Sequence, residues 1–134
     1  MTPETKQKNY LRKKMWIAKN PERLLAHTQK RYANNPFLRT IEKARKRARE
    51  SGLEYDLTID WARKRWTGKC EITGAEFKRE HGKQNAFSPS LDRIDPSKGY
   101  TQDNCRFILW SLNRFKGDES DEVMIAIAKL LLRQ

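Results

Sequence analysis

Apolar positions recur at helical spacing through the first half of the chain and at strand spacing through much of the second. Residues 3–33 carry a loose helical pattern in Tyr10, Leu11, Met15, Trp16, Leu24, Leu25 and Tyr32, with Lys and Arg filling the positions between. Asn20-Pro21-Glu22 reads as a helix stop and restart, Asn20 serving as N-cap and Pro21 as the first helical residue. Asn35-Pro36 repeats that punctuation, so three basic helices in series are expected. From Phe37 to Ser51 the pattern sharpens: Phe37, Ile41, Ala44 and Ala48 mark one face, and Gly52 supplies the stop. A short helix follows, with Thr58 as N-cap, Asp60 at its positive end, and Trp61 and Trp66 as its large apolar residues. Gly68 ends it.

Beyond Cys70 the period changes. Cys70-Glu71-Ile72-Thr73-Gly74 reads as a short strand or knuckle closing on a glycine turn, and the polar residues 78–86 as an exposed loop. Ser90 to Asp95 alternates as a strand does, Pro96-Ser97-Lys98-Gly99 forms a turn, and Cys105 to Leu109 is a second strand. Trp110 to Lys116 is a short helix. Asp118 to Ser120 caps a final amphipathic helix whose Val123, Ile127, Leu130 and Leu131 make one face. Trp61, Trp66 and Trp110 are expected in the core, Cys70 and Cys105 as small buried side chains, and Tyr100 as the residue that closes the hairpin loop.

The chain has 134 residues and a net charge of +12, and the placement of that charge is informative. Residues 1–69 hold 19 Lys and Arg against 7 Asp and Glu, whereas residues 70–134 hold 10 of each. A basic half that binds phosphates, joined to a half whose carboxylates do something else, is the physical reading. No apolar stretch approaches the roughly 20 residues of a membrane span, and the N-terminus lacks a signal-peptide core, so a soluble, cytoplasmic protein is expected. Two cysteines suit neither a disulfide scaffold nor a complete zinc site.

A strand, loop, strand and short helix can bring two oxygen ligands, far apart in sequence, to one divalent cation. Here Asp92 would come from the first strand and Asn113 from the helix, with Lys116 a turn further on, close enough to contact a phosphate. Few, hard oxygen ligands suit Mg²⁺ or Mn²⁺. Asn104, at the mouth of the second strand, is placed to tie the loop back through side-chain to backbone hydrogen bonds.

Ser90-Leu91-Asp92-Arg93-Ile94-Asp95-Pro96-Ser97-Lys98-Gly99-Tyr100, then Asp103-Asn104-Cys105, then Leu112-Asn113-Arg114-Phe115-Lys116, resembles a subgroup of HNH (ββα-metal) endonucleases common in bacteriophage genomes. The knuckle at Cys70–Gly74 precedes that motif as in the family, and the similarity reaches back through the helix around Lys43–Ala48. The resemblance, over roughly residues 37–134, implies a ββα-metal hairpin-plus-helix nuclease core; with the basic helical N-terminal extension and the C-terminal helix read from the pattern, the expected fold class is α+β. The resemblance also implies that Asp92 and Asn113 are metal ligands and that Asn104 shapes the loop. Two positions depart from the pattern. Arg93 stands where the family has its general-base histidine. The second cysteine pair of zinc-braced relatives is replaced by aliphatic residues near Leu109 and Leu112, so hydrophobic packing is expected in place of structural zinc.

Arginine is no base at neutral pH. Arg93 is therefore expected to hold a phosphate or transition-state charge, with Asp95 or the loop histidine His81 as alternatives for the base. The candidate catalytic residues are Asp92, Arg93, Asp95, Asn104, Asn113 and Lys116. Residues 1–36 are expected to form a DNA-binding arm and residues 37–134 the nuclease domain. DNA contacts are expected from Lys13, Lys14, Arg31, Arg45, Lys46, Arg47, Arg49 and Lys116. The expected activity is a metal-dependent DNA endonuclease or nickase, homing-type in a phage setting. It would act on double-stranded DNA as a monomer or homodimer, with no small-molecule cofactor and no membrane partner. The rival is a non-catalytic DNA-binding protein on a degenerate scaffold. Bland readings stand beside these: Asp92, Asp95 and Arg93 as a turn with a surface ion pair, His27 and His81 as surface residues, and the charge runs as solvated faces.

Overall fold

Prolines set the first boundaries. In the computed structural model, which describes residues 1–80 and 83–134, α1 (Pro3–Lys19) and α2 (Pro21–Asn34) each begin on a proline. After them come α3 (Leu38–Ser51), α4 (Ile59–Arg65), β1 (Pro89–Arg93), β2 (Cys105–Leu109), α5 (Trp110–Lys116) and α6 (Asp121–Leu131). His81, considered above as a base, lies outside the described residues. The chain divides into two compact units, Met1–Pro36 and Phe37–Gln134.

In the first unit Thr2 caps α1, its hydroxyl accepting the Thr5 N–H at 3.2 Å. Asn20 acts differently from expectation: its side chain makes no cap for α2 and donates instead to the Trp16 carbonyl at 2.9 Å. It thereby satisfies an orphan acceptor at the end of α1. Neither helix buries a residue, and Tyr10, Leu11, Met15 and Trp16 are exposed.

The second unit holds the core. Leu38, Ile41, Ala44 and Ala48 share the buried face of α3, and Gly52 ends that helix at φ 65°, a conformation that favours glycine. Phe37, Ile41, Ala44 and Ala48 pack with Leu57, Ala62, Leu91, Tyr100, Cys105 and Phe107. Trp61 stacks on Phe107 at 5.8 Å between ring centroids, while Trp66 meets Phe77 at 5.1 Å and the edge of Phe107 at 5.2 Å. These offset and edge contacts are the arrangements that ring quadrupoles favour. Thr58 caps α4, accepting the Trp61 N–H at 3.0 Å.

Cys70 to Gly74 is a turn rather than a strand, closed by the Gly74 N–H on the Cys70 carbonyl at 2.8 Å. Glu71 ties it to the hairpin, its carboxylate accepting the Phe107 N–H at 2.6 Å and Arg65 Nε at 2.7 Å. Cys70 then packs with Ile108 and Leu109, with Ala75, Phe77 and Leu112 around them. β1 and β2 pair antiparallel, with Asp92 opposite Arg106 and Arg93 opposite Cys105. The first strand ends at Arg93, two residues before the expected Asp95. The cause is local, because the Asp95 N–H is taken by the Asn104 side chain at 2.9 Å instead of by a strand carbonyl.

α5 follows β2 without a break. Trp110 is only half-buried, lies outside the core clusters and carries Arg114 over its ring at 4.7 Å. Ser120 caps α6 by accepting the Val123 N–H at 3.3 Å. Met124 is the buried residue of α6, whereas Val123, Ile127, Leu130 and Leu131 are exposed. The apolar face read from the sequence is therefore largely exposed. Among the described residues no helix is long and apolar enough to cross a membrane.

Candidate active site

α5 lies against β1 through two side chains on one face. Asn113 and Lys116 are three residues apart, the helical spacing that puts them side by side. The Asn113 amide nitrogen donates to Ser90 Oγ at 2.8 Å and to the Leu91 carbonyl at 3.1 Å. Among the described residues nothing donates to its Oδ1, which leaves that oxygen as the atom able to accept or ligate. Lys116 Nζ reaches both oxygens of Asp92 at 3.1 Å, the Arg93 carbonyl at 2.8 Å and the Ile94 carbonyl at 3.2 Å.

Lys116 does not stand where a phosphate contact was expected. Its side chain has 0% exposure, so the ammonium meets the protein's own oxygens rather than solvent. Burial of a charge is tolerable only with such pairing. A cation in the last turn of α5 also suits the negative end of that helix.

Asp92 itself is 3% exposed. Besides Lys116 it accepts Arg106 Nε at 2.9 Å, as the strand register allows, since directly opposed residues project to the same side. Arg106 in turn donates twice to Asp121, at 2.9 and 2.6 Å, and Lys116 stands 3.6 Å from the same carboxylate. Asp92, Arg106, Lys116 and Asp121 thus form a four-residue ion cluster of zero net charge. Its bidentate Arg106 bonds hold the Asp121 carboxyl below the usual carboxylate range.

Arg93 is half-buried at the end of β1, with Nη1 donating to the Lys98 carbonyl at 2.9 Å and its guanidinium 5.2 Å from the Tyr100 ring centroid. Asp95 folds into the turn instead of pairing with Arg93. Its Oδ1 accepts the Ser97 hydroxyl at 2.6 Å and the Ser97 N–H at 2.9 Å, and those bonds lower its pKa. A carboxylate made more acidic is a poorer proton acceptor, which counts against Asp95 as the base. Asn104 bridges the loop: Oδ1 accepts the Asp95 N–H, while Nδ2 donates to the Asp95 carbonyl at 3.1 Å and the Gly99 carbonyl at 2.9 Å.

Of the basic residues named from the sequence, Arg45, Lys46, Arg47 and Arg49 are exposed on α3. Lys13, Lys14 and Arg31 are exposed on the first unit. Arg106 and Asp121 were missed. Arg106 carried a signal, being the one charged residue inside an otherwise apolar strand, opposite Asp92 once the register is drawn. Asp121 read only as an acid in the first turn of a helix.

The donor chemistry fits a hard divalent cation. Asp92 and the Oδ1 of Asn113 offer oxygen donors, and so small a set would leave positions for water and phosphate. The Asp92 carboxylate already accepts from two cationic side chains, Lys116 and Arg106. One condition attaches, since a metal at Asp92 must share it with Lys116 and Arg106 or replace them. Among the described residues no group of three or more His, Cys, Asp or Glu is placed to hold a metal.

No protein-family model matches the chain, and no curated protein matches it. Among solved structures the chain is similar to PacI, a rare-cutting HNH restriction endonuclease described for its perturbation of DNA. The TM-score is 0.55 at 17% sequence identity, over 70% of this chain and 75% of that one. The α+β architecture, with its two-stranded antiparallel hairpin and following helix, is an HNH nuclease-like fold.

Proposed function

We propose that the protein is a DNA endonuclease or nickase that hydrolyses phosphodiester bonds with one divalent cation held by Asp92 and Asn113. One observation carries this reading: α5 is pinned on β1 so that Asn113 bonds the Leu91 carbonyl, next to Asp92, within a fold like that of an HNH restriction endonuclease. When bound, Mg²⁺ or Mn²⁺ would polarise the scissile phosphate and stabilise the departing 3′ oxygen. Arg93, held by Lys98 and Tyr100, supplies fixed positive charge for the phosphate as negative charge builds in the transition state. Asn104 holds the loop that carries Asp95 and Gly99. Arg45, Lys46, Arg47 and Arg49, with Lys13, Lys14 and Arg31 of the first unit, bind duplex phosphates and position the enzyme without reading sequence. The resemblance in the hairpin motif favours a phage or homing-type setting.

The test is cleavage of supercoiled plasmid with Mg²⁺, Mn²⁺ or EDTA, comparing the wild type with Asp92→Ala and Asn113→Ala. Metal-dependent nicking, lost in both variants, is the expected result. A second reading, DNA binding without cleavage, is favoured by Arg93 in place of a histidine and by the two cations already on Asp92. Salt-sensitive DNA binding that is equal in all three proteins, with no cleavage under any condition, would establish that second reading instead.

A further inference from the structure

We infer that Asp121 is a positioning residue for the metal site, the carboxylate that retains Lys116 and Arg106 when Asp92 gives itself to a divalent cation. The inference rests on the nuclease reading above and deepens it. Two acids and two bases balance in the cluster, and none is freely solvated: the side chains of Asp92, Arg106, Lys116 and Asp121 are 3%, 13%, 0% and 30% exposed. A divalent charge at Asp92 sets like charges against Lys116 and Arg106 in a region where water screens them poorly. Lys116 cannot answer by turning to solvent, being fully enclosed and held by the Arg93 and Ile94 carbonyls as well.

Asp121 is the second carboxylate in contact with both cations. It already takes two hydrogen bonds from Arg106, and Lys116 stands 3.6 Å from its Oδ1 against 3.1 Å from Asp92. A shift of a few tenths of an ångström exchanges the lysine's carboxylate partner without leaving either cation unpaired. Removing the negative charge of Asp121 leaves Asp92, among the described residues, as the one carboxylate paired with both Lys116 and Arg106, and an incoming metal must then compete with both. Outer groups that support metal ligands in this way commonly govern affinity.

Mn²⁺ binding to the full chain without DNA, followed by the electron paramagnetic resonance of free Mn²⁺, tests this directly. The proteins compared are the wild type, Asp92→Ala, Asp121→Asn, Asp121→Glu and Glu122→Gln, each checked by thermal unfolding; Asp121→Ser serves as the second neutral variant should the amide disturb folding. The expected pattern is binding that Asp92→Ala abolishes, that Asp121→Asn or Asp121→Ser weakens by about 10- to 100-fold, and that Glu122→Gln leaves alone. Asp121→Glu restores most of it, and adding Lys116→Gln to Asp121→Asn regains affinity by removing the surplus cation. A merely structural aspartate would lower the melting temperature and leave affinity unchanged. Wild-type affinity in folded Asp121→Asn, with binding still lost in Asp92→Ala, overturns this inference alone. Wild-type protein with no Mn²⁺ binding sensitive to Asp92→Ala overturns the metal site of the nuclease reading along with it.

Discussion

Lys116 donates to both carboxylate oxygens of Asp92 at 3.1 Å from a side chain with no exposed surface. This pair joins the last turn of α5 to the middle of the hairpin, and its integrity is a stability question before it is a catalytic one. Removing one member of a buried pair leaves the other uncompensated, which typically costs about 3–5 kcal/mol. Arg106 remains on Asp92 and softens the loss. Lys116→Ala is therefore expected to destabilise the protein by about 3 kcal/mol in urea unfolding, at the low end of that range. A change below about 0.5 kcal/mol, the usual scatter for surface substitutions, would mean the pair is not formed in solution.

The acid side of the stability curve reports on Asp121. Arg106 holds its carboxyl below the ordinary value, so the folded state binds a proton less readily than the unfolded chain. Such a group contributes stability that is fully present above its unfolded pKa, about 3.9, and that fades as pH falls through the folded value. The wild type should therefore exceed Asp121→Asn in stability at pH 6, and the gap should close as pH drops below about 4. Thermal unfolding of the two proteins between those pH values checks it. A gap that stays constant with pH would remove the ion pair as its cause.

Much of this architecture was legible because local signals and tertiary packing agreed. Pro21, Gly52, Thr58 and Ser120 mark helix boundaries by rules that depend only on backbone chemistry, and the structure places those boundaries accordingly. Where a side chain competed for a backbone group, the reading slipped. Asn20 bonds backward to α1 rather than forward to α2, and the Asn104 side chain cuts β1 short at Arg93. The candidate site was half-visible: Asp92, Asn113 and Lys116 could be grouped by the hairpin and helix. That Lys116 is swallowed by that group, and that Asp121 joins it from α6, depends on packing that no spacing rule encodes. Periodicity identified the apolar face of α6 without saying whether the core meets it, and Val123, Ile127, Leu130 and Leu131 are exposed.

Gly99 is confined by backbone rather than by its own dihedral angles. A Cβ built there would lie 2.6 Å from the Glu54 carbonyl oxygen and 2.9 Å from the Glu54 nitrogen. The next residue, Tyr100, donates its N–H to that same carbonyl at 2.8 Å, so the segments cannot part without breaking the hydrogen bond that holds the hairpin loop. Gly99→Ala is expected to cost about 1–3 kcal/mol, as for overpacking of a close contact. Calorimetric unfolding would measure it, and a neutral result would show that the loop can retreat from Glu54 freely.

Cys105 is fully buried, and burial, with the Asp92 charge as the next cause, pushes its thiol from the ordinary 9.0 up to about 12. A group whose folded pKa is raised contributes stability that is complete below its unfolded pKa and lost as pH rises toward the folded one. Relative to Cys105→Ala, the wild type should lose stability as pH rises above 9.0 toward about 12. The native thiol should resist alkylation at pH 8 and react after unfolding, since the thiolate is the nucleophile. Rapid native labelling at Cys105, located by mass spectrometry, would contradict both expectations.

Arg45, Lys46, Arg47 and Arg49 stand exposed on α3, whose opposite face is committed to the core. If these four bind duplex phosphates, each bound phosphate releases condensed counterions, and affinity falls with salt by a log–log slope of about 0.9 per phosphate neutralised. Replacing the four together with Gln should leave the fold intact, because none packs in the core. It should also reduce the salt slope by about 0.9 for every phosphate no longer neutralised, with weaker binding on all sequences alike. Fluorescence anisotropy on two unrelated duplexes, titrated with KCl, separates the outcomes. Weakened affinity for one duplex only would assign these residues to base reading, and an unchanged slope would move the phosphate binding to Lys13, Lys14 and Arg31 of the first unit.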